Sequence, residues 1–91
     1  MNPEYYEGIV LITIERLNNK NEGCSIKNLV EHTHLGNKTV LKAIGRLADK
    51  KRISITPGKP TKPTSYKILT PPNDYDYMAI SLHLESKRNG N

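Results

Sequence analysis

Tryptophan and phenylalanine are absent from the 91 residues, and five tyrosines are the whole aromatic content. With 35% of side chains apolar, such a chain supports one modest core and does not divide into two. A domain of this size buries about 60–65% of its unfolded surface, leaving little material for a deep catalytic cleft. Most enzymes are thereby excluded, and a binding module that needs no cofactor is expected. The single cysteine, Cys24, excludes an internal disulfide framework, so the fold does not depend on an oxidising compartment. Long apolar runs are missing too: Ile9 to Ile12 is far short of a membrane span, and nothing resembles a signal peptide. The expectation is a soluble cytoplasmic protein without internal repeats.

Acidic residues are in short supply. Nine Asp and Glu face 14 Lys and Arg, a formal +5 with a pI near 9.4, which favours a polyanionic partner. The excess is not spread evenly. Residues 1–37 carry −2, residues 38–67 carry +8 and residues 68–91 carry −1. The basic charge therefore belongs to the central third.

Asn2 followed by Pro3 is a helix start, and Tyr6, Ile9, Val10, Ile14 and Leu17 recur at helical spacing. A first helix is expected from Pro3 to Asn19. Ser25 is an N-cap for a short second helix carrying Ile26, Leu29 and Val30 to about His32. His34-Leu35-Gly36 reads as a tight turn in which the glycine supplies backbone freedom and Leu35 drops into the core. A third helix is expected from Asn37 to about Lys51. On a helical wheel starting at Lys38, Val40, Leu41, Ile44, Leu47 and Ala48 fall between about 180° and 300°. Thr39, Lys42, Arg46 and Asp49 fall on the opposite side, between about 20° and 100°. Ile53-Ser54-Ile55 and Ser65-Tyr66-Lys67-Ile68 then alternate as two strands of a hairpin. Its tip holds Pro57, Pro60 and Pro63, which interrupt pairing and stiffen the loop, with Lys59 and Lys62 between them.

The expected fold is mainly α with a small β-hairpin (α+β), and this order of elements resembles the winged helix-turn-helix family. The resemblance covers Tyr5 to Leu69. It rests on Ser25-Ile26-Lys27-Asn28-Leu29-Val30, the Thr33-His34-Leu35-Gly36 turn, Thr39-Val40, and Ile44 with Leu47 before Ile53. Two positions depart from the family's pattern: His34 stands where that turn usually has glycine, and Lys51 where a glycine commonly leads out of the third helix. The resemblance implies a domain over residues 1–70 that binds double-stranded DNA with its third helix in the major groove. Lys38, Thr39, Lys42 and Arg46 then face DNA, Arg46 being suited to fork onto guanine. Thr39 contacts a phosphate or a thymine methyl, or else caps the helix. Asn37 reads adenine unless its amide caps the helix. Ser25 and Lys27 lie near the backbone, and Lys59 and Lys62 carry the wing to an adjacent minor groove or phosphate. A small transcriptional regulator is the first expectation; an accessory of a replication or mobile-element complex, binding DNA or protein, is the second.

Residues 71–91 form a tail. Asp74 and Asp76 at its start, Lys87 and Arg88 near its end and Gly90 beyond match a helix dipole. Met78, Ile80, Leu82 and Leu84 also alternate as a strand would, but the end signals favour helix. Tyr75, Met78, Ala79 and Leu82 make one helical stripe, while Tyr77, Ile80 and Leu84 make a second that needs a partner, here a homodimer. Cys24, His32 and His34 match no strong zinc spacing, and no metal is expected. A nicking enzyme using a tyrosine nucleophile is disfavoured, because paired histidines of that kind need an apolar residue between them, and here Thr33 intervenes.

Overall fold

The first helix, α1 (Pro3–Asn19), is the centre of the molecule. Its side chains are buried without a break from Glu7 to Ile14, and Leu11 and Ile12 are as fully buried as the Ile9, Val10 and Ile14 of the expected stripe. A helix apolar on all sides needs cover on all sides. Here α2 (Ile26–Thr33), α3 (Asn37–Asp49) and the second strand of the β1 (Ile53–Thr56) and β2 (Ser65–Ile68) hairpin lie against it, as does α4 (Asp74–Arg88). The described residues thus form a small, mostly helical α+β fold of four helices and a two-stranded antiparallel sheet. The computed structural model describes residues 3–62 and 64–88, and the side chains of 3–62 and 64–85. Asn2, Pro63 and Gly90 and the side chains of Lys87 and Arg88 lie outside the described residues.

Two apolar clusters share α1. Val10, Leu11, Ile14 and Leu17 meet Leu29 of α2, Val40, Ala43, Ile44 and Leu47 of α3, and Ile53 and Tyr66 of the hairpin. On another side, Ile9 and Ile12 meet Ala79 and Ile80 of α4. Leu35 packs against both, as its place in the turn suggested.

Helix ends follow from local chemistry. Ser25 caps α2, its Oγ accepting from the Asn28 backbone N–H at 3.1 Å. Each of the first three helices ends on a left-handed residue that is not glycine: Asn21 at φ 57°, His34 at φ 59° and Lys51 at φ 58°. After α1 the Glu22 N–H donates to the Leu17 carbonyl and Asn21 to Asn18; after α3 the Arg52 N–H donates to Leu47 and Lys51 to Ala48. Both are Schellman ends, and the His34 N–H bonded to the Val30 carbonyl is the simpler left-handed cap. Left-handed backbone in the turn therefore falls on His34. Gly36, expected to supply that freedom, is extended at φ −72° and ψ 160°. The α3 helix itself stops at Asp49, two residues before the expected end, because Lys51 already turns left-handed.

In the hairpin Ile53 pairs with Ile68 and Thr56 with Ser65. Beyond Thr56 and Ser65, Lys59 and Lys62 form a further bridge, exchanging N–H···O=C bonds of 2.7 and 3.0 Å. The Asn18 amide donates to the Tyr66 carbonyl at 2.9 Å and ties β2 to the end of α1.

The tail is a helix and not a strand, and its buried face crosses both expected stripes. Asp76, Ala79, Ile80 and His83 point inward, while Tyr75, Tyr77, Met78, Leu82 and Leu84 stay exposed. Ile80, expected with Tyr77 and Leu84 to meet a partner, is buried against α1 instead. Two polar residues can face inward because each is satisfied there. Asp76 accepts from Arg52 at 2.7 and 3.4 Å and from the Asn73 N–H at 2.9 Å, while the Asn73 side chain accepts from the Asp76 N–H at 2.9 Å. That reciprocal pair is a capping box. His83 donates from Nε2 to the Thr33 carbonyl, so α4 also holds the corner between α2 and α3. Gly8 makes the approach possible: a Cβ there would lie 2.9 Å from Asp76 Cα.

Candidate nucleic-acid interface

The exposed side of α3 is where the basic residues gather. Lys38, Lys42 and Arg46 are exposed along it, Lys38 and Lys42 being one turn apart. Thr39 is half-buried. Together with Lys42, Ala43 and Arg46 it lines an open groove of about 250 Å3 whose other wall is Pro3 and Tyr6 of α1. Those two residues gave no signal in the sequence, since nothing in the spacing of α1 says which of its turns borders α3.

Leu41 is the clearest correction on this helix. It was expected in the core, yet it is 54% exposed, whereas Ala43, not counted in the apolar arc, is buried. Ala43 sits at about 140° on the wheel and Leu41 at about 300°, so the buried arc is centred nearer Ala43 than the large side chains alone suggest. Asn37 is the first residue of α3 and is exposed; the cap position belongs to Gly36, which offers no side chain. The Asn37 amide is therefore not occupied in capping.

Not all of the central positive charge lies on this face. Lys50 reaches back to the buried Glu7 carboxylate at 2.8 Å, and Arg52 is held by Asp76. Lys38, Lys42, Arg46, Lys51, Lys59, Lys62 and Lys67 form no ion pair with a described residue and are exposed. The sequence could not separate the two groups, because Glu7 and Asp76 are distant in the chain.

The remaining expected residues sit on other elements. Ser25 and Lys27 are exposed at the start of α2, with the Ser25 oxygen engaged by its own helix. Lys59 and Lys62 are brought directly opposite each other across the Pro60-Thr61 turn. Like charges facing across a ladder destabilise it, so the bridge is held by its two backbone hydrogen bonds and not by its side chains.

Cys24 is buried, its thiol 3.4 Å from the Asn18 side-chain oxygen, and burial pushes that thiol above its ordinary range. His32 and His34 are exposed, and no group of three or more His, Cys, Asp or Glu converges among the described residues. No described helix is long and apolar enough to cross a membrane. Comparison with protein-family models, curated proteins and solved structures gives no match for this chain.

Proposed function

We propose that the protein binds double-stranded DNA in a sequence-dependent way, with α3 in the major groove and the hairpin tip on adjacent phosphates or minor groove. The observation that carries the reading is the α3 face: a helix of about 20 Å presents Lys38, Lys42 and Arg46 outward with no carboxylate of a described residue paired to them. An α-helix fits the major groove, where base edges are distinguishable. The order α1, α2, α3, β1, β2 supports a winged helix-turn-helix arrangement, and the opposed lysines of the tip suit a second contact. Arg46 forks onto a guanine and Lys38 and Lys42 hold phosphates. Such a domain acts as a small transcriptional regulator. Tyr77 and Leu84, still exposed on α4, are the residues through which two copies pair on a two-fold site.

Selection of the purified protein on a random duplex library tests this. We expect enrichment of a two-fold-related motif, and Arg46→Ala to weaken binding to it by about 1–3 kcal/mol while relaxing base preference. Equal weakening on selected and random duplexes would make Arg46 a phosphate contact. Failure to retain any duplex would overturn the proposal.

A further inference from the structure

An exposed leucine is ordinary on a protein surface, but Leu41 occupies an unusual place. It stands on the outer side of α3, one turn after Lys38, beside Lys42, and one turn before Gly45. Gly45 is the second anomaly. It lies inside the helix, where glycine is a poor choice, and beyond its chain neighbours and its own helix backbone no described atom comes within 4 Å of where its Cβ would sit. Nothing in the fold requires it. Gly8 shows the contrast, because there a Cβ would strike Asp76.

A glycine with open space in front of it lets something outside the chain approach the backbone closely. Leu41 above that gap gives the visitor an apolar contact, and Lys38 and Lys42 along one side of it suit an anion. In a duplex major groove the one apolar feature of the base edges is the thymine C5-methyl group. We infer that Leu41 and Gly45 form a thymine-methyl subsite: Leu41 packs on the methyl, and the absent side chain at Gly45 lets the base edge reach it. Thr39, the other residue considered for that role, is half-buried, lines the groove with Pro3 and Tyr6, and lies about 160° around the helix from Leu41. The inference rests on the DNA-binding reading.

The test uses the full chain and a duplex recovered by selection, with each thymine replaced in turn by deoxyuridine, which lacks only the methyl. Binding is followed by fluorescence anisotropy. We expect at least one thymine whose replacement weakens the wild-type complex about fourfold, the equivalent of one buried methyl. Leu41→Ala should bind both duplexes equally, with its melting temperature within about 3 °C of wild type because Leu41 is exposed. Gly45→Ala should raise the melting temperature by about 2–8 °C and yet weaken DNA binding. Uniform binding of thymine and uracil duplexes, a selected site without thymine, a uracil penalty that persists in Leu41→Ala, or undiminished binding by Gly45→Ala would each overturn the subsite while leaving DNA binding standing. If no duplex binds at all, the DNA reading fails and the subsite with it.

Discussion

At Asn21, His34 and Lys51 the backbone takes a left-handed turn that places an ordinary side chain against its own carbonyl. Asparagine tolerates this, histidine less well and lysine poorly. The turns persist because each satisfies carbonyls at the end of a helix that the core has already positioned. His34 and Lys51 are both exposed, so their side chains contribute little packing to offset the strain. Lys51→Gly is therefore expected to stabilise the fold by about 1 kcal/mol, seen as a melting temperature higher by about 4–8 °C. A lower or unchanged midpoint would mean that the lysine conformation carries no strain. Residue by residue, the sequence pointed to His34 and Lys51 as places where glycine is usual, but not to what replaced it. It misplaced the turn's conformational demand by two residues, onto Gly36. Glycine content signals where freedom is available, and hydrogen bonding to the preceding helix decides where it is used.

Elements were legible wherever a helix or strand is governed by its own apolar spacing, as in α1, α2, α3 and the hairpin. The packing of α4 was not, because half of its inward face is polar. Asp76 and His83 are buried on the strength of partners about 24 and 50 residues away, Arg52 and the Thr33 carbonyl, and no local pattern reveals such partners. Hydropathy assigned the inner face to larger apolar residues that remain outside. The consequence is measurable. Asp76→Ala removes a helix cap and leaves Arg52, largely buried, without its carboxylate. We expect a loss of about 3 kcal/mol or more in urea unfolding. A loss below about 1 kcal/mol would show that α4 is held by Ala79 and Ile80 alone.

A second effect concerns the hairpin and the corner between α1 and α2. Burial raises the Cys24 thiol above 9.0, and burial together with nearby Cys24 raises the Tyr66 phenol above 10.0. Tyr5, beside α4, is raised by burial and by Tyr6 and Tyr75. The folded chain keeps these protons to higher pH than the unfolded chain does. Their contribution to stability is complete below the unfolded values and declines as pH rises past about 9 and through the raised folded values. Urea midpoints should hold steady to about pH 8.5 and then fall, less steeply in Cys24→Ala than in wild type. A midpoint indifferent to pH across that window would contradict the assigned burial.

For the whole molecule, net charge hides how the basic residues of the central third divide between scaffold and solvent. The central third carries +8 in sequence, but Lys50 and Arg52 are bound to Glu7 and Asp76 and serve the scaffold. What remains is seven exposed basic side chains on α3, its exit and the hairpin, with Asp49 the one acid among them. The DNA-binding candidates on α3 were readable from the wheel, whereas Leu41 lay at the arc's edge and Gly45 had no significance until its surroundings were known. The internal ion pairs were illegible for the same reason as the face of α4: they join residues far apart in sequence.

The salt dependence of duplex binding tests the central claim most directly. If about six of these side chains neutralise phosphates, log K should fall with log salt at a slope near −5. A slope shallower than about −2, or binding indifferent to salt, would contradict an α3 and hairpin surface built for DNA.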